Sequence, residues 1–243
     1  RFMLDEMVLS NKQDALQTFV RIDLDKKPVN SSQQILQKVP GLFIGQHAGG
    51  GKAEQVFLRG FDIDHGTDLA LSVDGMPVNM VSHAHGQGYS DLHFLIPETI
   101  EKINFGKGPY YASKGDFNTA GYVDFKTKSH LEQSQIEIGI GQFNTFRTLG
   151  MFNLLDKNST DNAYIAIEYL ATDGFVESPQ NFSRINIFSK YKTFLKDNSS
   201  LSLSAAHFTS KWDASGQIPV REVANGNITR FGSIDDTEGG TTS

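Results

Sequence analysis

At 243 residues the chain is long enough for one large domain or two small ones, and its formal charge of −6, with a pI near 5.6, leaves no overall basic footprint for nucleic acid. Zero cysteine excludes disulfide staples and cysteine-based zinc sites. No run of about eighteen apolar residues occurs, which excludes an ordinary transmembrane helix but not a membrane barrel, whose alternating strands keep hydropathy averages low.

Leu4-Asp5-Glu6-Met7-Val8-Leu9-Ser10 is a short acidic-then-apolar segment that suits an N-terminal edge strand or tail. Phe19-Val20-Arg21-Ile22-Asp23-Leu24 alternates apolar and charged residues, as a half-buried strand does. Ser31, followed three residues on by Gln34, has the capping-box form. Ile35, Leu36 and Val39 then make one apolar face, and Pro40-Gly41 ends a helix predicted over residues 32–39. Gly49-Gly50-Gly51-Lys52 suggests a phosphate loop but fails as one. Gln46 stands where the first glycine should be, and Ala53 stands where Ser or Thr should bind magnesium. The stretch reads as a flexible loop.

Two short strands follow, Gln55-Val56-Phe57-Leu58 running into Arg59-Gly60-Phe61, and Leu71-Ser72-Val73 running into Asp74-Gly75-Met76-Pro77-Val78-Asn79. Asp74-Gly75 is a strong turn dipeptide, because Gly takes positive φ without penalty and Asp bonds its own downstream backbone. Residues 81–94 are the most chemically loaded loop. Within it, His83-Ala84-His85 can place two imidazoles on the same side of an extended chain, a geometry that suits zinc or copper. Gly86 and Gln87 stand where a His-x-His metallohydrolase would carry its next ligands, so a hydrolase site is poorly supported, and surface or loop-packing histidines are the plainer reading. His65, in the turn 62–66, is a weaker candidate, and His93, in an apolar run, reads as a satisfied core histidine. Pro97 and Glu98 suit a helix start in Ile96-Pro97-Glu98-Thr99-Ile100-Glu101-Lys102-Ile103. Lys107, in Gly106-Lys107-Gly108-Pro109, has no evident apolar pocket or partner that would make it a catalytic amine.

From Ser134 the texture changes. Segments of about ten residues alternate in character over 134–140, 146–155, 163–170, 183–194 and 201–210, separated by alternately short and long polar connections, the pattern of an outer-membrane barrel. Residues 211–243 are polar and Gly-rich and lack strand pattern.

The collinear order of Val-Phe-Leu-Arg-Gly-Phe (56–61), Val-Asp-Gly-Met-Pro-Val-Asn (73–79), Ile-Pro-Glu-Thr-Ile-Glu-Lys-Ile (96–103) and Gly-Lys-Gly-Pro (106–109) resembles the plug domain of TonB-dependent outer-membrane receptors. Residues 35–41 and 120–128 extend the resemblance, which covers roughly the first half of the chain. It implies an α+β plug domain over 13–128, preceded by a TonB-box-like segment over 1–12. From 129 to 243 it implies the first antiparallel strands of a 22-stranded transmembrane β-barrel. Five strands cannot close a barrel and an open edge cannot face lipid, so the expectation is a truncated piece of such a receptor.

The resemblance further implies a receptor rather than an enzyme, in the outer membrane of a Gram-negative bacterium. Leu4, Asp5, Glu6, Met7, Val8, Leu9 and Ser10 would engage the periplasmic domain of TonB by strand addition. The barrel strands would face outer-membrane lipid. His47, His83, His85 and Tyr89 match apical plug loops that face an extracellular small-molecule or metal-chelate substrate. His83 and His85 are the candidate metal ligands, so a siderophore-like cargo is expected, with cobalamin, haem, peptides and glycans as alternatives. No cofactor is required, a bound metal being part of the substrate. Arg59 and Lys107 would carry the plug-to-barrel lock, although Lys stands where the family usually has Arg and lacks its bidentate fork. Two rivals remain: a soluble zinc enzyme using His83 and His85, and an all-β adhesin that leaves the helix and the ordered motifs unexplained.

Overall fold

The computed structural model describes residues 17–21, 29, 31–45, 50–196, 199–214, 216 and 218–233. The chain folds as two compact units, Arg1–Gly45 with Ala53–Lys128, and Gln46–Lys52 with Ser129–Ser243. The segment Leu4 to Ser10 and His47 lie outside the described residues.

In the first unit, helix α1 (Ser32–Leu36) starts at Ser31, whose hydroxyl accepts from the Gln34 amide. It is shorter than the predicted 32–39, because Gln37 caps it and residues 37–40 turn. Ile35, Leu36 and Val39 are all buried, so the apolar face survives the shortening. Strands β1 (Gln17–Arg21), β7 (Ile100–Lys107), β8 (Gly121–Thr127), β5 (Leu69–Val73) and β6 (Met76–Pro77) form one sheet in that order, with β5 and β8 parallel and the other pairs antiparallel. Strands β2 (Leu42–Gly45), β3 (Gln55–Leu58) and β4 (Phe61–Ile63) form a second, antiparallel sheet. The core joins α1 to both sheets through Ile44, Leu58, Ile63, Leu71, Ile103 and Phe125.

The helix start at Pro97 is a single 3-10 turn, Pro97–Thr99, and the chain passes at once into β7. Ile100, Ile103 and Phe105 are buried there, and a register shift between Ile100 and Lys102 brings them to the core. Asp74 and Gly75 both take positive φ (51° and 88°), the conformation a two-residue hairpin turn needs. The Asp74 carboxylate also accepts from the Thr127 amide at 3.0 Å and the Thr127 hydroxyl at 2.5 Å, fastening the β5–β6 tip to the end of β8.

The second unit contains an antiparallel meander of β9 (Gln135–Gly141), β10 (Thr145–Asn153), β11 (Asn162–Thr172), β12 (Phe182–Phe194) and β13 (Ser200–Lys211), with sheet order following chain order. These fall within a few residues of the alternating segments read from sequence. The connections, 142–144, 154–161, 173–181 and 195–199, do not alternate strictly between short and long. A short helix, α2 (Val220–Ala224), occurs where no regular element was expected.

The two faces of this sheet differ from those of a water-soluble sheet. One face buries Arg147, Glu168, Arg184 and Asn186 together with Leu149, Met151, Tyr164, Ala166 and Leu170. The other leaves Ile136, Ile138, Ile140, Phe152, Ile167 and Ile185 exposed, Ile140 at 86%. An apolar outward face, over an inner face that admits charged residues, is what lipid on one side requires. On the buried face the Arg147 Nε and Nη2 atoms lie 2.8 and 2.7 Å from Glu168 Oε1, Arg184 Nη2 lies 3.0 Å from Oε2, and Asn186 donates to Oε2 at 2.9 Å. Among the described residues no helix is long and apolar enough to cross a membrane, a statement that does not bear on strands.

Asp74→Ala removes two hydrogen bonds to a carboxylate, each worth about 1.5–3 kcal/mol. Amide hydrogen exchange should rise at Thr127 and through β5–β6 by about tenfold or more. Unchanged exchange would show that the hairpin tip does not depend on that carboxylate.

Candidate functional site

Loop 80–90 leaves the β5–β6 hairpin through Asn79, whose side chain makes four hydrogen bonds. Its Oδ1 accepts from the Leu71 amide at 2.7 Å, and its Nδ2 lies 2.9 Å from the Gly66 and Leu69 carbonyls and 3.1 Å from that of Gly88. One amide therefore ties together the turn before β5, the first half of β5 and the far end of the loop. The loop closes on itself as Met80 donates to the Tyr89 carbonyl at 2.7 Å and Gly88 donates to that of Met80 at 2.8 Å. Ser90 continues the attachment by donating to the His65 carbonyl at 2.8 Å.

This scaffold gathers four rings. His83 stacks on Tyr89 with centroids 3.9 Å apart and planes 14° from parallel. His85 lies 5.1 Å from His83, and His65 packs at 5.8 Å from His85 and 5.6 Å from Tyr89. The His83 and His85 Nδ1 atoms are 3.4 Å apart. The His85 amide donates to His83 Nδ1 at 3.2 Å, which for a neutral ring puts the His83 proton on Nε2. His85 is exposed, His83 and Tyr89 are half-buried, and His65 is buried beneath them. Burial, then the neighbouring Asp91 carboxylate, pushes the Tyr89 hydroxyl above its ordinary pKa, and a hydrogen bond to the Ala53 backbone opposes the rise.

His65 is the member that sequence reading ranked lower. It takes a left-handed conformation (φ 55°) in the 3-10 turn Asp64–Gly66, and that turn carries the ring under the loop. His93 lies apart from the four-ring group. It is 4% exposed, with Nδ1 2.5 Å from Asp91 Oδ1 and 2.8 Å from the Gln33 amide of α1. The Glu54 carboxyl beside this pair is raised above the usual carboxylate range by burial; His93 works against the rise and Asp91 adds to it. Arg59 is exposed in the turn after β3, at φ 52°. Lys107, half-buried at the end of β7, has its Nζ 5.8 Å from the Phe105 ring centroid.

Two imidazole nitrogens sharing a tetrahedral ion at about 2.0–2.1 Å sit about 3.3–3.4 Å apart, so the His83–His85 spacing matches a two-donor clamp. Among the described residues no group of three or more His, Asp or Glu side chains is placed to hold an ion. The loop can therefore offer a flat ring face and two nitrogen donors, the second of them once His83 Nδ1 releases the His85 amide, and a metal held there would have to bring other ligands with it.

Residues 9–122 match a family model described as the TonB-dependent receptor plug domain. The chain is 26% identical over 212 residues to the vitamin B12 transporter BtuB of Vibrio vulnificus, covering 80% of this chain and 32% of that protein. It thus spans about a third of the length of that curated relative. Among solved structures, the ferric citrate transporter FecA in its unliganded form superposes with a TM-score of 0.72 at 16% identity, covering 92% of this chain and 35% of that one. The copper transporter OprC gives a TM-score of 0.64 at 16% identity, covering 84% and 32%.

Asn79→Asp keeps the acceptor for Leu71 but sets a carboxylate against the Gly66, Leu69 and Gly88 carbonyls. Exchange of the Met80 and Gly88 amides should rise about 10- to 100-fold, the loss expected when hydrogen bonds become like-dipole contacts. Exchange at the wild-type rate would remove Asn79 from its place in the site.

Proposed function

We infer, from its membership of the TonB-dependent receptors, that this chain supplies the plug and the first barrel strands of an outer-membrane transporter that captures a scarce nutrient. The sheet of the second unit, with its apolar face outward, is the part that would meet lipid. Loop 80–90 is the part that would meet substrate. TonB would engage residues 4–10 from the periplasm and supply the energy for import, since the sequence carries no phosphate loop.

The observation that carries the substrate class is the His83–His85 pair against the Tyr89 face. Two nitrogens at 3.4 Å suit a metal, yet they are too few to complete its coordination. A cargo that arrives with most of its ligands in place, a metal chelate of the siderophore kind, satisfies both facts. The stacked His83 and Tyr89 rings support a second reading, a flat organic ligand such as a corrin or porphyrin, which would lie on the rings without bonding to nitrogen. A soluble zinc enzyme would need a third protein ligand near His83 and His85, and it would leave the exposed isoleucine face of β9 without a role.

The test is elemental analysis, with mass spectrometry of co-purified small molecules, on the full-length receptor expressed in metal-replete medium. The chelate reading expects near-stoichiometric metal together with an organic ligand, both lost in the His83→Ala, His85→Ala double variant. Metal content and uptake unchanged in that variant would overturn it. A co-purified ring compound without dependence on those nitrogens would favour the second reading.

A further inference from the structure

The connection between β7 and β8, residues 108–120, lies wholly in the first unit and is far longer than two antiparallel neighbours require. The Gly108 amide donates to the Ala120 carbonyl at 2.7 Å and closes its base. Beyond that base Tyr111 meets Tyr122 edge to face, with centroids 4.9 Å apart. Both rings lie on Gly106 of β7, where a Cβ would fall 2.4 Å from Tyr122 and 2.6 Å from Tyr111. Lys114, in the 3-10 turn Ala112–Lys114, pairs with the Asp124 carboxylate of β8 and lies 4.2 Å from the Tyr122 ring centroid. The other Asp124 oxygen accepts from the Ser72 hydroxyl of β5 at 2.6 Å.

From this anchored turn the chain reaches the neck of loop 80–90. Phe117 takes a left-handed conformation (φ 59°), which is costly for a bulky side chain and persists only where the surroundings impose it. On one side buried Asn118 donates from Nδ2 to the Tyr111 carbonyl at 3.2 Å. On the other the half-buried Phe117 ring lies against the Gly88 backbone, where a Cβ would fall 2.5 and 2.7 Å from two ring carbons. Gly88 donates to the Met80 carbonyl and accepts from the Asn79 side chain, so the ring sits where the loop closes on itself.

We propose that Phe117 is a positioning residue, whose ring walls the neck of loop 80–90 at Gly88 and so preserves the Met80–Tyr89 closure that stacks His83 on Tyr89. Asn79 binds the neck by hydrogen bonds, and Phe117 limits by contact how far it can shift. Glycine is required at 88 because any side chain there would strike the ring. Phe117 need not touch cargo. Only the consequence for cargo capture rests on reading loop 80–90 as the substrate loop. If the neck opens in a Phe117 variant while the metal content of the purified receptor is unchanged, that reading fails and the wall stands.

The test uses the full-length receptor in detergent and needs no added cargo. Its readouts are hydrogen exchange of the Met80 and Gly88 amides and modification of His83 by diethyl pyrocarbonate, mapped by mass spectrometry. Exchange of the Ile103 and Val123 amides, in β7 and β8, is the control. Phe117→Gly suits the left-handed backbone and deletes the ring, so both readouts should rise about tenfold with the controls at their wild-type rates. Phe117→Tyr keeps the ring and should stay within about twofold of wild type. Lys114→Met releases the turn from Asp124 and should raise both readouts about threefold. If Phe117→Gly does not assemble in the membrane, Lys114→Met decides on the same readouts. Neck exchange at the wild-type rate, or a rise shared equally by β7 and β8, would overturn the positioning role. Faster neck exchange with His83 no more reactive would overturn it as well, by cutting the wall off from the stacked rings.

Discussion

The Asn79 side-chain amide closes four hydrogen bonds to the backbone around it, and the placement of every ring in the candidate site follows from them. The loop leaves its own apolar side chains, Met80 and Val81, exposed and so is not held by the hydrophobic effect. Backbone carbonyls on three sides of Asn79 supply the order instead. The aromatic contacts come afterwards: His83 can stack on Tyr89 because Met80 and Tyr89 are already paired across the neck of the loop. His65 enters from a separate turn whose Gly66 carbonyl is one of the four partners, so the same amide brings both halves of the site together.

The second unit works by the opposite rule. Its outward face is apolar and its buried face carries two arginines and a glutamate, a costly arrangement unless each charge is bonded to another. Both Glu168 oxygens are engaged, by Arg147, Arg184 and Asn186, so the carboxylate enters no apolar surroundings unpaired. Removing Glu168 would take from both buried guanidinium groups the carboxylate they share. The register of β10, β11 and β12 is thereby tied to one acidic side chain as well as to the backbone ladder.

Much of this was legible in the sequence wherever a local rule had no competitor. Period-two alternation located β9 to β13 to within a few residues, Ser31 and Gln34 marked the start of α1, and Asp74-Gly75 marked the hairpin. The misses share a cause, which is tertiary contact. Pro97 and Glu98 signal a helix start honestly, but Ile100, Ile103 and Phe105 do more by entering the core as a strand, and the helix stops after one turn. His65 carries no local signal for joining His83 and Tyr89, because its partners lie some twenty residues away and depend on the left-handed turn at Asp64–Gly66. Gly51 reads as flexible because sequence shows the freedom of glycine and not the Trp212 indole packed against its backbone. Asn79 passed as the end of a motif, although an Asn just beyond a hairpin is a residue whose amide can close such a hub.

The most direct test is a cryo-EM structure of the full-length receptor purified with its natural cargo still bound. The account predicts cargo density in van der Waals contact, within about 4 Å, of the His83 and Tyr89 rings, with the His83–His85 nitrogens turned towards it. Cargo density elsewhere, with residues 80–90 in the arrangement described and touching nothing, would contradict it.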